Sequence, residues 1–219
     1  MSVLAIAHRA GNSLAGLHAA NLLGVDIIEA DVHAYQGRLE VRHLKTAGPL
    51  PFLWDRWELV SAAAPRLGLD ELLQAGRRGA TFMLDLKGRH ERVGREVAAL
   101  LHQHAVHDPI LVCSRGWASV DHVATQVEHA RPVLSARTRP ELTALRRRVA
   151  VSDHPPYGAS VHASLITPRV TAELRDRLEL VMTWPINDHA ALTRVVELGA
   201  NAVISDEPDV LRTVMLMRP

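Results

Sequence analysis

The stretch Gly24-Val-Asp-Ile-Ile-Glu-Ala-Asp-Val-His33 decides how this chain is read. Val25, Ile27, Ile28 and Val32 give it the β-branched chemistry of a strand. Yet it carries Glu29 and Asp31, residue types that strands disfavour. Side chains at i and i+2 project from one face of a strand, so the two carboxylates stand side by side, about 7 Å apart along the chain. Like charges so placed repel unless one is protonated or a cation bridges them. A divalent metal held through oxygen is the simplest bridge. His33 shares the parity of the pair and would be a further ligand if the strand ran on to it, but it is read as lying beyond the end of the strand.

Short apolar runs alternating with amphipathic segments extend from this stretch in both directions. Strands are expected near 3–8, 25–32, 80–87, 109–114, 131–136, 158–163, 179–184 and 201–205. Helices are expected near 14–23, 69–77, 90–105, 118–129, 139–149, 168–177, 189–198 and 208–216. Gly24, Gly79, Pro109, Pro132 and Gly199 punctuate the strand starts. Asp70 and Asp188 are expected to start helices. Eight strand–helix units without a break in composition predict an α/β fold, a single (β/α)8 TIM barrel spanning residues 1–219 as one domain. A doubly wound open sheet competes, but no Gly-x-Gly-x-x-Gly follows the first strand. The stretch 44–68, with Pro49, Pro51, Trp54 and Trp57, reads as the one long irregular segment, and long loops in compact domains often carry function.

Composition narrows the function classes. The 219 residues are 47% hydrophobic and 22% charged, enough for an ordinary packed core. A net charge of +1 gives no case for a nucleic-acid partner. Cys113 is the single cysteine, which excludes an internal disulfide framework and a zinc–thiolate cluster and fits a reducing, cytoplasmic setting. No apolar run approaches the roughly 18–20 residues that span a bilayer, so no stable membrane insertion is expected. The opening Met1-Ser-Val-Leu-Ala-Ile-Ala-His8 lacks the charged start of a signal peptide and reads as a strand. Lys45 and Lys87 are the only lysines among 25 basic residues. With Arg used so freely, a Lys answers a specific demand. Nothing in the pattern sets an oligomeric state.

A β/α barrel gathers its active site at the C-terminal ends of its strands. The first strand ends in His8-Arg9 and the second in Glu29-x-Asp31. A hairpin at Gln36-Gly37 returns through Arg38-Leu-Glu-Val-Arg to deliver His43. The third ends in Asp85-Leu-Lys87, the seventh in Thr183-Trp184-Pro-Ile-Asn187 and the eighth in Ser205-Asp206. Glu29, Asp31 and Asp85 form a ligand set for one hard divalent cation, Mg²⁺ or Ca²⁺. His8 and His43 suit general acid and base work near neutral pH. Arg9 and Lys87 suit a phosphate, and Trp184 could stack on a choline-like cation. Metal, two imidazoles and two cations together describe phosphoryl transfer on a small molecule better than any other common reaction class. His102, His104 and His107 read as a solvated helix end, and Arg146-Arg147-Arg148 as a solvated helix face.

These segments resemble the glycerophosphodiester phosphodiesterase family, whose members are metal-dependent β/α barrels. The likeness rests on Ala7-His8-Arg9, Asn12-Ser13-Leu14-Ala15, Gly24 to Val32, Val41-Arg42-His43, Leu84-Asp85-Leu86-Lys87, Ile110 to Ser114, and the run from Thr183 through Ser205-Asp206-Glu-Pro208. It implies that His8 and His43 are the acid–base pair, that Glu29 and Asp31 bind metal, and that Arg9 contacts phosphate. The activity implied is hydrolysis of a glycerophosphodiester, such as glycerophosphocholine, to an alcohol and glycerol phosphate. The family's first strand is usually followed by Pro-Glu-Asn-Thr, whose Glu binds metal; here Gly11 stands in its place. The third-strand carboxylate is Asp85 rather than Glu, and Leu44 rather than Asp follows His43. A Glu, Asp, Asp site with a nearby Lys is similar to the sphingomyelinase D branch of the superfamily. That branch brings in a lysophospholipase D-like or cyclising activity on a choline lipid as the alternative, beside a non-catalytic barrel that binds phosphate esters.

Overall fold

A computed structural model describes residues 3–48, 50–55, 58–76, 81–88, 91–104 and 108–217. Pro49, Trp57, Gly79, His107, the expected start of the third strand at Ala80, and Met1-Ser2 lie outside the described residues.

The first unit is strand β1 (Leu4–Ala7) and helix α1 (Leu14–Leu23), joined by a 3-10 turn over Ala10–Asn12. Strand β2 (Ile27–Tyr35) turns back as β3 (Arg38–Val41). Three short strands follow, β4 (Lys45–Thr46), β5 (Phe52–Trp54) and β6 (Leu59–Ser61), and then helix α2 (Leu69–Ala75). Strand–helix pairs continue as β7 (Thr81–Leu86) with α3 (Arg92–Gln103), β8 (Ile110–Ser114) with α4 (Trp117–Gln126), and β9 (Ala130–Ala136) with α5 (Arg139–Val151). They end as β10 (Gly158–His162) with α6 (Pro168–Arg175), β11 (Leu180–Trp184) with α7 (His189–Glu197), and β12 (Ala202–Ser205) with α8 (Pro208–Leu216).

Strands β1, β12, β11, β10, β9, β8, β7 and β2 pair in that order, all in parallel, and β2 pairs back to β1. The sheet is therefore closed, and the fold is a (β/α)8 TIM barrel. Strand parity sorts the side chains. Ile6, Ile27, Met83, Leu111, Val133 and Met182 pack against one another inside the barrel. Ile28, Ala30, Val32, Leu84, Leu86 and Val112 are of the opposite parity and pack outward beneath the helices. Burying each large aliphatic side chain of this kind contributes about 1.5–3 kcal/mol. Above the inner apolar layer the same parity continues as Glu29, Asp31 and Asp85, and Asp31, Asp85 and Cys113 sit at one register level on three adjacent strands. Closure of the barrel thus carries the acidic residues to the mouth.

Three local expectations change. The stretch 44–68 is not irregular, because β4, β5 and β6 form a small antiparallel sheet around the fully buried Leu53. Helix α2 begins after Gly68 rather than at Asp70; Asp70 and Glu71 lie in its first turn, where the helix dipole favours acid, and Glu71 Oε2 accepts the Gly68 N–H at 2.8 Å. His33 lies within β2, which runs on to Tyr35 because its end is paired with β3. Asp188 caps α7 as expected, its Oδ1 accepting the Ala191 N–H at 2.7 Å. Gln36 and Gly37, at φ 47 and 78, both take the left-handed conformation that a two-residue hairpin turn requires. No described helix is long and apolar enough to cross a membrane.

Candidate active site

The local chain path explains how each polar residue reaches the mouth. Arg9 leaves β1 in the left-handed conformation, φ 56, and its backbone N–H donates to Glu29 Oε2 at 2.6 Å. Asn12 and Asp31 exchange two bonds: Asn12 Nδ2 donates to Asp31 Oδ2, and the Asp31 N–H donates to Asn12 Oδ1, both at 2.8 Å. Arg42 N–H donates to the Asp31 carbonyl at 2.9 Å and Lys87 N–H to the Val32 carbonyl at 2.8 Å, which fixes His43 and Lys87 beside Asp31.

Glu29, Asp31 and Asp85 each offer an oxygen, and the three oxygens lie within 4.8 Å of one another. Glu29 and Asp31 are almost completely buried. An all-oxygen acidic donor set of this size matches what a hard divalent ion takes, so the residues fit the group. Lys87 supplies positive charge inside the cluster; its Nζ lies 2.5 Å from Asp31 Oδ1 and also donates to Asp85 Oδ2. The electrostatics follow. Burial, then the Asp31 charge, pushes the Glu29 carboxyl well above its ordinary value. Burial likewise raises Asp85 against the pull of Lys87. Burial works to raise Asp31 as well, but bonds from His43, Lys87 and Asn12 outweigh it and hold this carboxyl far below the usual range. Lys87 is held charged, its desolvation outweighed by Asp85, Asp31 and Glu29.

Each predicted imidazole has a carboxylate on Nδ1. His8 Nδ1 lies 2.8 Å from Asp206 Oδ1, and His43 Nδ1 lies 3.3 Å from Asp31 Oδ2. A carboxylate on one ring nitrogen orients the ring and leaves Nε2 to exchange protons. Asn187 Nδ2 donates to the other Asp206 oxygen at 3.1 Å, and Asn187 Oδ1 accepts from Ser205 Oγ at 3.3 Å and from the Asp206 N–H at 3.1 Å.

All eight residues singled out in the sequence line one cavity of about 720 Å³: His8, Arg9, Glu29, Asp31, His43, Asp85, Lys87 and Trp184. Trp184 ends β11 and meets His162 edge-on at 5.1 Å between ring centroids. Gly11, where the resemblance implies a fourth ligand, lies too close to β2 for a side chain: a Cβ there would come within 2.7 Å of Ala30 Cβ and 3.0 Å of the Glu29 carbonyl. Sequence reasoning gave no role to Asn12, Arg115, Arg137 and Glu141, and did not pair Asp206 with His8. His33, Arg115, Arg137 and Glu141 also line the cavity. Position after a strand end was the available signal for Arg115, Arg137 and Asp206; none existed for Glu141, which comes from the first turn of α5.

No protein-family model matches the chain. No curated protein matches it. Solved structures do. A phosphodiesterase from Oleispira antarctica, solved in complex with the product sn-glycerol-3-phosphate, superposes with a TM-score of 0.79 at 20% identity, over 97% of this chain and 96% of that one. A glycerophosphodiester phosphodiesterase from Agrobacterium tumefaciens gives 0.70 at 18% identity, over 99% and 100%. One from Thermotoga maritima gives 0.74 at 15% identity, over 100% and 99%. The fold is the one these phosphodiesterases share. The likeness to the sphingomyelinase D branch rests on sequence motif alone.

Proposed function

We propose that this chain is a divalent-metal-dependent phosphodiesterase that hydrolyses glycerophosphodiesters to an alcohol and glycerol phosphate. The observation that carries the reading is the meeting of two carboxylate-backed imidazoles, three clustered carboxylates and two cations in one cavity at the mouth of a barrel of this fold. The product complex of the Oleispira antarctica protein supports glycerol phosphate as the retained half of the substrate.

Glu29, Asp31 and Asp85 would hold one Mg²⁺ or Ca²⁺, which supplies Lewis-acid neutralisation of charge on the phosphate when bound. Arg9 and Lys87 bind the non-bridging phosphate oxygens and orient phosphorus for attack. One of His8 and His43 takes a proton from the attacking water as its oxygen bonds to phosphorus. The other gives a proton to the ester oxygen as the phosphorus–oxygen bond to the alcohol breaks. Asp206 positions His8 and Asp31 positions His43 for these transfers. Trp184 closes one side of the substrate cavity.

The test is a product assay on glycerophosphodiesters with Mg²⁺, Mn²⁺ and Ca²⁺, run beside His8→Ala and His43→Ala. Release of glycerol phosphate by the native protein, with turnover lowered at least ~10²-fold in each variant, is expected. Near-native turnover by His8→Ala would overturn the assignment. A cyclic phosphate product would turn it into a lyase.

A further inference from the structure

The wall of the cavity away from the acidic cluster carries positive charge that the chemistry above does not use. Arg115 follows β8 and Arg137 follows β9, and both line the cavity. β9 stands three strands round the barrel from β2, so this wall faces a different part of a substrate from the phosphodiester.

The two loops are tied together by one carboxylate. Glu141 Oε1 accepts from Arg115 Nε at 3.0 Å and Nη2 at 2.5 Å. Glu141 Oε2 accepts the backbone N–H groups of Arg137 and Thr138 at 2.8 and 3.0 Å. Burial works against its ionisation, but these bonds, Arg115 first, outweigh it and hold Glu141 down to about 2, so the clamp is charged across the working range. Glu141 therefore fixes Arg115 and its loop, but its oxygens meet only the backbone of Arg137. Among the described residues no carboxylate is paired with the Arg137 guanidinium. Its charge reaches His162, which, after burial, it helps to keep neutral, and His162 abuts Trp184. One wall of the cavity thus carries a guanidinium fixed by Glu141 and another with no anionic partner. Guanidinium pairs at such a wall suit phosphate or carboxylate, and an alcohol with a cationic head would meet the Arg137 charge. The volume of about 720 Å³ leaves room for a polar alcohol beside the glycerol phosphate half.

We infer that Arg137, with Arg115 held by Glu141, forms a subsite for a second anionic group, so that the substrates are glycerophosphodiesters whose alcohol itself bears a phosphate or carboxylate. The inference rests on the phosphodiesterase reading and names the substrate class of that same site. Hydrolysis then releases the anionic alcohol and glycerol phosphate, with water supplying the new oxygen on phosphorus and the proton on the leaving alcohol.

The test uses a pair differing only by the second anion, glycerophosphoinositol and glycerophosphoinositol 4-phosphate, with Mg²⁺. The native protein is expected to show kcat/KM at least about tenfold higher for the phosphorylated member, as a charge-assisted contact implies. Arg137→Ala should bring the ratio close to one, Arg137→Lys should keep part of it, and Arg147→Ala, on the outer face of α5, should leave it intact. Equal kcat/KM on the two substrates, or a ratio that survives Arg137→Ala, would overturn the subsite. Should neither be hydrolysed with any divalent ion, the phosphodiesterase reading fails, and the subsite is then decided by calorimetry. Inositol 1,4-bisphosphate should bind native protein about tenfold tighter than inositol 1-phosphate and lose that margin in Arg137→Ala; equal binding by the native protein refutes it.

Discussion

The Lys87 ammonium sits 2.5 Å from Asp31 Oδ1, inside the group of carboxylates that a divalent ion would join. Lys87 is one of two lysines in a chain that uses Arg almost everywhere else. A compact point charge fits among three carboxylates where a planar guanidinium would not. Lys87→Met removes that charge and leaves the acidic residues facing one another. The metal-free variant is expected to be less stable by on the order of 2–3 kcal/mol. Divalent ions should then raise its melting temperature more than they raise that of the native protein. Equal shifts in the two proteins would show that Lys87 does not balance the cluster.

Gly11 is set by packing against β2. A Cβ at this position would press on Ala30 Cβ at 2.7 Å. Gly11→Glu restores the residue type of the resembled family without the room to place it. Overpacking of this kind costs typically about 1–3 kcal/mol. Urea denaturation should show that loss, and calorimetry should show no gain in divalent-ion affinity. A variant of native stability that binds metal more tightly would mean that the 3-10 turn over Ala10–Asn12 moves aside.

His8 has a carboxylate outside the acidic cluster, Asp206, at 2.8 Å, whereas the carboxylate of His43, Asp31, also serves Asn12, Lys87 and the metal cluster. Burial works to raise Asp206, but the bond from His8 outweighs it and holds Asp206 below its ordinary value. Asp206→Asn keeps the shape and removes the charge. It is expected to lower kcat on the order of 10–100-fold with KM little changed, as for loss of a positioning group that matters in the transition state. An unchanged kcat would remove Asp206 from the mechanism.

His33 links the site to pH. Burial, reinforced by the Arg42 charge, depresses it from an ordinary value of 6.5 to about 3, and its Nε2 is buried without a hydrogen-bond partner among the described residues. The unfolded chain therefore takes up a proton below pH 6.5 that the folded chain refuses until about pH 3. Stability from this group falls as pH drops through that window, by roughly 1.4 kcal/mol per unit. Between pH 7.5 and 5.0 the native protein should lose about 2 kcal/mol more than His33→Gln in chemical denaturation. Parallel losses in the two proteins would place the proton elsewhere.

Much of this molecule is legible in the chain because strand and helix periodicities differ and glycines mark the ends. Among the described residues, the eight barrel strands and eight α-helices fall where the alternation puts them, from β1 at Leu4–Ala7 to α8 at Pro208–Leu216. The parity of Glu29 and Asp31 alone sets them on one face, and strand-end position alone picks out His8, Asp85 and Lys87. The β4–β6 sheet was not legible: its strands are two or three residues long, too short for a period to register.

The sequence by itself determined the order of the elements and which face of each strand carries charge, since both depend on neighbours a few residues apart. Only the tertiary structure decided the partners. Asp206 reaches His8 across 198 residues, Asn12 meets Asp31 across 19, and Glu141 ties Arg115 to the loop of Arg137 because β8 and β9 pair as parallel neighbours. These contacts depend on register and curvature around a closed sheet, which no local pattern encodes. Barrel closure also presses Ala30 against Gly11, so the space around that residue, like the cationic wall at Arg137, belongs to the fold rather than to the motif.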